Sequence, residues 1–444
     1  MKKALCIIFA ILVAVYLSPV TTLANSAQSH WSGTSQTGAI ITDQDCPIVV
    51  EKEVLTLDLQ NFPSNHYEST DEFLAYDGKV SAQYTFYNPA DYSVTATLVF
   101  PFGVRPSYSP GPTFDANGNR ISSIVDAEKY TTYVNGQPVP TKIRHTFSYG
   151  MSQFNLEEHL PFLIDCYVQD QFYSRDLQVI RQDYVFGGIE KEYSNKATAA
   201  FTWPNDQLQT KLLCATISGA KAIDDGTVLS CPVKNNDVLS IYFVGQAPSL
   251  PIELVVHETN NKFNVFGDVS LAKQPVIMSF EDFVFTAYEQ NSGISENDWY
   301  NAFVAQLNAK ENLLQGGIVD SFDFDLSGQF LRWYEYQITL GPKERIVNVV
   351  NAPIYPDIDL NYTPHVCKYV YLLSPASTWN SFGTLEIIIN TPYFVTECSI
   401  DGLTKSASGY SVSLNALPNN ELIFSLCTEE SPTMRHEQSG GGCS

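Results

Sequence analysis

Lys79-Val80-Ser81-Ala82-Gln83-Tyr84-Thr85-Phe86, then the turn Asn88-Pro89-Ala90-Asp91, then Val94-Thr95-Ala96-Thr97-Leu98-Val99-Phe100 is the stretch that decides the fold class. Val80, Ala82, Tyr84 and Phe86 fall on one face of the first run. Val94, Ala96, Leu98 and Phe100 fall on one face of the second. Side chains alternate across a strand, so a two-residue period means a strand with one buried face. The short polar connection makes the two runs an antiparallel pair.

The pattern continues outward from there. Asn117-Gly118 and Asn135-Gly136 are hairpin-turn signals. Residues 176–257 repeat short apolar runs between turns such as Asn205-Asp206 and Asn235-Asn236-Asp237, a spacing that suits a sandwich. Leu331 and Trp333 share one face, whereas Tyr334, Tyr336, Ile338 and Leu340 share the other; this change of parity reads as a β-bulge. Further strands are expected at 366–373, 385–389, 410–414 and 421–427.

Two patches read as helix. Residues 154–169 carry Leu156, Leu160, Leu163 and Tyr167 on one stripe, limited by Pro161. Residues 279–309 are clearer, with Phe280, Phe283, Val284, Ala287 and Tyr288 at helical spacing, then Trp299, Phe303 and Leu307. Ser279 with Asp282, and Ser295 with Asp298, resemble capping boxes. The expected fold is mainly β, with two antiparallel β-sandwich domains and a helical hairpin between them. The expected division is a signal peptide over 1–27, a linker over 28–50 and an N-terminal sandwich over 51–275 with a short helical insert near 154–169. A helical hairpin over 276–325, a C-terminal sandwich over 326–428 and a disordered tail over 429–444 complete it.

The signal reading rests on Lys2 and Lys3, the fourteen apolar residues Ala4 to Leu17, and the small residues around Thr22-Leu23-Ala24. A membrane core needs about 20 apolar residues, so this run is too short to span one. Cleavage is expected near Asn25 or Gln28. The chain carries 25 Lys and Arg against 48 Asp and Glu, a net −23, which leaves no footprint for nucleic acid or anionic lipid. No membrane span is expected in the mature chain.

Of nine cysteines, Cys6 lies in the signal. Export permits disulfides, and Cys214 with Cys231 and Cys398 with Cys427 are possible local bridges; buried free thiols are equally open. No HExxH, GxSxG, GxGxxG or phosphate loop is present, and His257-Glu258 lacks a second His at metalloprotease spacing. His365 and Cys367 flank one residue and read as ordinary strand positions rather than a nucleophile pair. Asp323, Asp325 and Ser327, followed by Gly328, match the first half of a calcium loop. Tyr334 stands where the bidentate acid belongs, so calcium is expected to bind weakly or not at all; no other cofactor is expected. Asp357-x-Asp359-x-Asn361 is a second partial match.

The segments Asp298-Trp299-Tyr300-Asn301-Ala302, Arg332-Trp333-Tyr334-Glu335-Tyr336-Gln337-Ile338, Ala352-Pro353-Ile354-Tyr355-Pro356 and Leu372-Leu373-Ser374-Pro375-Ala376 stand out. So do Thr378-Trp379, Phe382-Gly383 and Leu98-Val99-Phe100-Pro101-Phe102-Gly103. On these the chain resembles a family of exported, β-rich proteins of Gram-positive anaerobic bacteria. The resemblance covers most of 50–427 and implies export and β architecture, with no activity or site. The expected role is binding or structural display at the cell surface or outside it, toward an extracellular protein or glycan. The alternative is an extracellular hydrolase of glycan or peptide using paired carboxylates.

Overall fold

The structure is a computed structural model that describes residues 22–435, except 25, 35–39, 42–44, 104–105, 111–112, 115–119, 123–129, 148–155, 194, 208, 249–251, 289–292, 312–316, 321, 325 and 327–328. Strand accounts for 49% of the chain and helix for 12%, so the fold is mainly β, as the alternation requires. Among the described residues no helix is long and apolar enough to cross a membrane.

The chain divides into two compact units, and the division is interleaved. One takes Met1–Leu163, Gln290–Ser295 and Gly328–Ser444; the other takes Ile164–Glu289 and Glu296–Ser327. This corrects the expected sequence of one sandwich up to 275 and another from 326. The reason is strand pairing. Lys79–Tyr87 lies between Val49–Asp58 and Arg345–Pro353, and Ser93–Gly103 pairs with Phe330–Leu340. The strands on either side of the second unit therefore build one sheet system.

In the first unit an eight-stranded sheet runs in the order Gln137–Pro138, Thr131–Val134, Arg345–Pro353, Lys79–Tyr87, Val49–Asp58, Phe382–Asn390, Gly409–Leu414, Thr404–Lys405. Its buried face shares one core with two smaller sheets, built on Ser93–Gly103 with Phe330–Leu340 and on Val366–Leu372 with Leu422–Cys427. Val80, Ala82, Tyr84 and Phe86 enter that core from one layer, and Val94, Ala96, Leu98 and Phe100 from the opposite one. Most pairs are antiparallel, but Val49–Asp58 runs parallel to Phe382–Asn390.

The expected bulge at Trp333 and Tyr334 is instead a strand buried on both faces. Tyr334, Tyr336, Ile338 and Leu340 face the main core. Leu331 and Trp333 face a satellite core with Ala27, Val99, Leu160 and Leu163. A register shift does occur, one residue earlier: Arg332 sits opposite Gly103 and Trp333 opposite Pro101, so the extra residue, Phe102, belongs to the partner strand.

The cover over Leu331 and Trp333 comes from the expected 154–169 helix, which is shorter. It has an α turn at Leu156–His159 and a 3-10 turn at Leu160–Phe162, with Pro161 at its start. Beneath it the Trp333 indole N–H donates to Thr146 Oγ1 at 2.8 Å, and that oxygen lies 3.1 Å from His159 Nδ1. Burial disfavours the imidazolium and lowers the His159 pKa from 6.5 to about 4. The folded state thus takes up this proton less readily than the unfolded chain. The stability it carries is complete above about pH 6.5 and drains as pH falls toward 4, a loss of ~3 kcal/mol at most. Urea unfolding of the wild type should weaken from pH 7 to pH 5 by more than that of His159→Gln. Equal pH slopes for the two proteins would refute this account.

Residues 28–50 are not all linker. Ala27–Thr34 is a strand paired antiparallel with Ser93–Gly103, and Ile40–Ile41 pairs with its end. Its sequence is too polar to announce a strand, but backbone pairing to an open edge needs no apolar side chains. Just before it, Thr22–Ala24 pairs parallel with Val366–Leu372. The start of the expected tail is ordered too: Thr433–Met434 pairs with Tyr362–Thr363, and Arg435 Nε donates to Thr363 Oγ1 at 2.7 Å. The apolar run Ala4 to Leu17 and the rest of the tail, 436–444, lie outside the described residues.

The second unit has three layers. A five-stranded sheet and a six-stranded sheet enclose one core containing Trp203, Phe201, Leu229, Ile241 and Phe243. The other face of the six-stranded sheet carries the helical segments, Phe280–Val284, Phe285–Ala287 and Glu296–Glu311. Tyr242 points to this side, with its ring centroid 5.0 Å from Phe283 and 5.8 Å from Phe324. That is why Leu239 to Val244 reads as a near-continuous apolar run. Ser279 caps the first helix as expected, its Oγ accepting the Asp282 N–H at 3.0 Å.

Helix Glu296–Glu311 is buried almost all round from Asp298 to Leu307. Its amide side chains satisfy the extended segments laid against it. Asn301 accepts from the Val168 N–H and donates to the Cys166 carbonyl, at 2.7 and 3.1 Å. Gln306 likewise bonds both the N–H and the carbonyl of Asp323. Buried backbone groups need partners, and here side chains supply them where no strand could.

Candidate functional site

The outer face of the five-stranded sheet in the second unit forms a concavity of about 570 Å³. The strands run in the order Gly219–Ile223, Gly226–Pro232, Ala197–Pro204, Val255–Glu258, Asn261–Val265. Alternation along Ala197–Pro204 sends Ala199, Phe201 and Trp203 into the core and leaves Thr198 and Ala200 facing outward. Register then builds rows across the face. Gly219 sits beside Ser230, Ser230 beside Ala200, and Ala200 beside Val255. The next row is Pro232, Thr198, His257 and Val265.

The floor is therefore made of small and hydroxyl-bearing side chains, which is what leaves it hollow. Its polar groups are held in place. Thr259 Oγ1 donates to the Lys196 carbonyl at 2.7 Å and lies 2.9 Å from Thr198 Oγ1. Ser230 Oγ donates to the Gly219 carbonyl at 3.2 Å. His257 is buried, and its Nδ1 donates to the Glu258 carbonyl at 2.8 Å, so in the neutral ring Nε2 is the free acceptor.

Lys221, Lys234 and Lys262 line the same hollow, against one carboxylate, Asp237. The Asp237 side chain is engaged by its own turn, where Oδ2 accepts the Lys234 backbone N–H at 2.7 Å. Among the described residues, no aromatic ring other than the His257 imidazole lines the concavity, in a chain that is 13% aromatic.

The residues singled out in the sequence lie elsewhere. Asp323 is exposed and its backbone is clamped by Gln306; Asp325 and Ser327 lie outside the described residues. Among the described residues no three His, Cys, Asp or Glu side chains gather as a metal-binding group. Cys214, Cys231, Cys398 and Cys427 carry free thiols. Cys214 and Cys231 share the core of the second unit. Cys398 stands opposite Phe424 and Cys427 opposite Phe394, so the ladder holds these two cysteines three positions apart, roughly 10 Å.

His365 Nε2 lies 3.3 Å from Arg435 Nη2, while Cys367 is buried in the core and its thiol is pushed up to about 12, chiefly by that burial. Such a thiol is inert, so the two do not act as a pair. The Asp357 carboxyl is likewise raised, first by burial and then by Asp359, with Lys368 across the ladder opposing the shift. Sequence reasoning reached His257 only as a failed metal motif and did not find the concavity. Its one signal was the polar and small side of Ala197-Thr198-Ala199-Ala200-Phe201-Thr202-Trp203.

No family model matches the chain. No curated protein matches it in sequence. One solved structure to which it is similar is that of a Legionella pneumophila protein named for nutrient binding without an established role, at 11% identity and a TM-score of 0.32, covering 92% of this chain and 72% of that one. A likeness of that size carries neither the fold nor the role of that protein over to this chain.

Proposed function

We propose that the chain is an exported binding protein that takes a small ligand on the outer face of the five-stranded sheet. The observation that carries this is the hollow itself, about 570 Å³ on sheet strands with hydrogen-bonded hydroxyl and imidazole groups on its floor and three exposed lysines around it. Small-molecule sites run from about 300 to 1,000 Å³ and combine such a cavity with a few placed polar groups. Export is supported by the basic and apolar N-terminal run and by the family resemblance. The acidic net charge of −23 suits a soluble molecule working among other surfaces.

Filling the hollow tests the reading. Ala200 faces outward at its centre, so Ala200→Trp should leave the melting temperature within a few degrees of wild type. A thermal-shift screen of soluble metabolites and oligosaccharides against both proteins is then expected to find ligands that stabilise only the wild type. Free ligand at 100 times Kd stabilises by about 2.7 kcal/mol, a shift readily seen. Ligands that stabilise both proteins equally would place binding elsewhere.

A further inference from the structure

We infer that the ligand of this face is a small molecule carrying at least two anionic groups, carboxylate or phosphate; this rests on the binding reading above. Three observations point there. First, the hollow holds three ammonium groups against one carboxylate, in a chain whose overall balance is 25 basic to 48 acidic residues. Among the described residues, none of Lys221, Lys234 and Lys262 has a carboxylate within ion-pair distance, although lysines elsewhere do, such as Lys52 with Glu386 and Lys211 with Glu311.

Second, the lysines are spread rather than clustered. Lys221 stands on one edge strand and Lys262 on the opposite edge strand, with three strands between. Four inter-strand spacings make roughly 19 Å across the sheet, and Lys221, in register with Val228 and Thr202, also stands four residues along Ala197–Pro204 from the row of Thr198 and His257. Each lysine stem can lean inward over the floor, so the two ammonium groups bracket it from either side, with Lys234 at the end of Gly226–Pro232. A single small anion would meet one of them; a ligand with two or more anionic groups meets several.

Third, among the described residues the floor has no ring of Phe, Tyr or Trp to stack on a sugar or a base. The hydroxyl protons of Thr198, Ser218, Ser230 and Thr259 are already given to backbone carbonyls or to one another, so the lysine ammonium groups are the donors that a ligand meets. Ammonium donors suit carboxylate or phosphate oxygens, which accept only.

Lysines on edge strands also serve to block strand-to-strand aggregation. That account covers Lys221 and Lys262 but not Lys234, and it predicts a different result. The probes are tricarballylate, inorganic tripolyphosphate and, as a neutral control, glycerol. Each is titrated calorimetrically into wild type, Lys221→Gln/Lys262→Gln and Ala200→Trp at low and moderate salt. The lysines are exposed, so the double variant should fold as wild type does.

The expected result is that at least one polyanion binds wild type and glycerol does not. The affinity should fall about tenfold in the double variant, the sum of two exposed ion pairs. It should weaken with salt and vanish in Ala200→Trp. Tricarballylate alone binding would assign carboxylates, tripolyphosphate alone phosphates, and both together would assign charge spacing as the selected feature. Two outcomes overturn the inference: a polyanion that binds the double variant as tightly as wild type, or no polyanion binding at all. If the screen meanwhile finds neutral ligands that Ala200→Trp excludes, the site stands and only its anionic character falls. If no ligand distinguishes wild type from Ala200→Trp, the site falls as well.

Discussion

A chain that starts at Gln28 is expected not to reach the native state, whereas one that starts at Asn25 folds. The three residues between them include Ser26, which sits at 0% exposure in the core of the first unit. Its N–H donates to Tyr84 OH at 3.1 Å and its carbonyl accepts the Trp379 indole N–H at 3.0 Å. Its hydroxyl lies 3.0 Å from Tyr336 OH, which in turn donates to Asn348 Oδ1 at 2.9 Å. Taking Ser26 away breaks three buried hydrogen bonds, each costing about 1–3 kcal/mol when a partner is left behind. It also removes Ala27, fully buried in the satellite core, and loosens the entry of a whole strand.

The sum is comparable with the entire stability of a domain, about 5–15 kcal/mol. Thermal melts of the two truncated proteins, followed by near-ultraviolet circular dichroism, measure it. Matching transitions would show that Ser26 is dispensable. The same geometry separates the two cleavage points that the N-terminal sequence leaves open. N-terminal sequencing of exported protein should read Asn25 first, since a cut before Gln28 discards Ser26.

The strands with one wet face were legible because alternation reports burial directly. Lys79–Tyr87 and the part of the next strand from Ser93 to Leu98 show this, and the Ser279 cap was legible for the equally local reason that one hydroxyl meets one N–H. Pairing partners were not. A period of two tells which face of Lys79–Tyr87 is buried but not that Arg345–Pro353 lies beside it, so the interleaved first unit was invisible. Double-sided burial misled for a related reason. Leu331 and Trp333 on one face and Tyr334 and Tyr336 on the other read as a slip, because nothing local announces that a short helix covers the outer side.

The concavity was hidden by its chemistry. Its floor consists of residues such as Ala200, Gly219 and Ser230 that carry no motif, and its lysines lie at 221, 234 and 262 in three separate segments. Only cross-strand register brings them to one face. The cysteines turn on register too. Sequence proximity left a Cys398–Cys427 bridge and free thiols equally open, and the ladder sets the two cysteines out of step.

Trp299→Ala is expected to destabilise the second unit by about 3–5 kcal/mol, the range for truncating a buried tryptophan. Trp299 is 4% exposed, its indole N–H donates to the Val284 carbonyl at 2.9 Å, and its ring lies 5.6 Å from Tyr288. That hydrogen bond joins the first turn of helix Glu296–Glu311 to the end of Phe280–Val284, so one side chain both fills volume and satisfies a helix-terminal carbonyl. Trp299→Phe should recover much of the volume but not the hydrogen bond, and so fall between the two. The five-stranded sheet lies on the far side of the six-stranded sheet from this helix, so ligand binding at the concavity should persist in both variants while they remain folded. Urea unfolding and the polyanion titration together decide it. A Trp299→Ala protein of undiminished stability that no longer bound ligand would mean that the tryptophan belongs to a site rather than to the core.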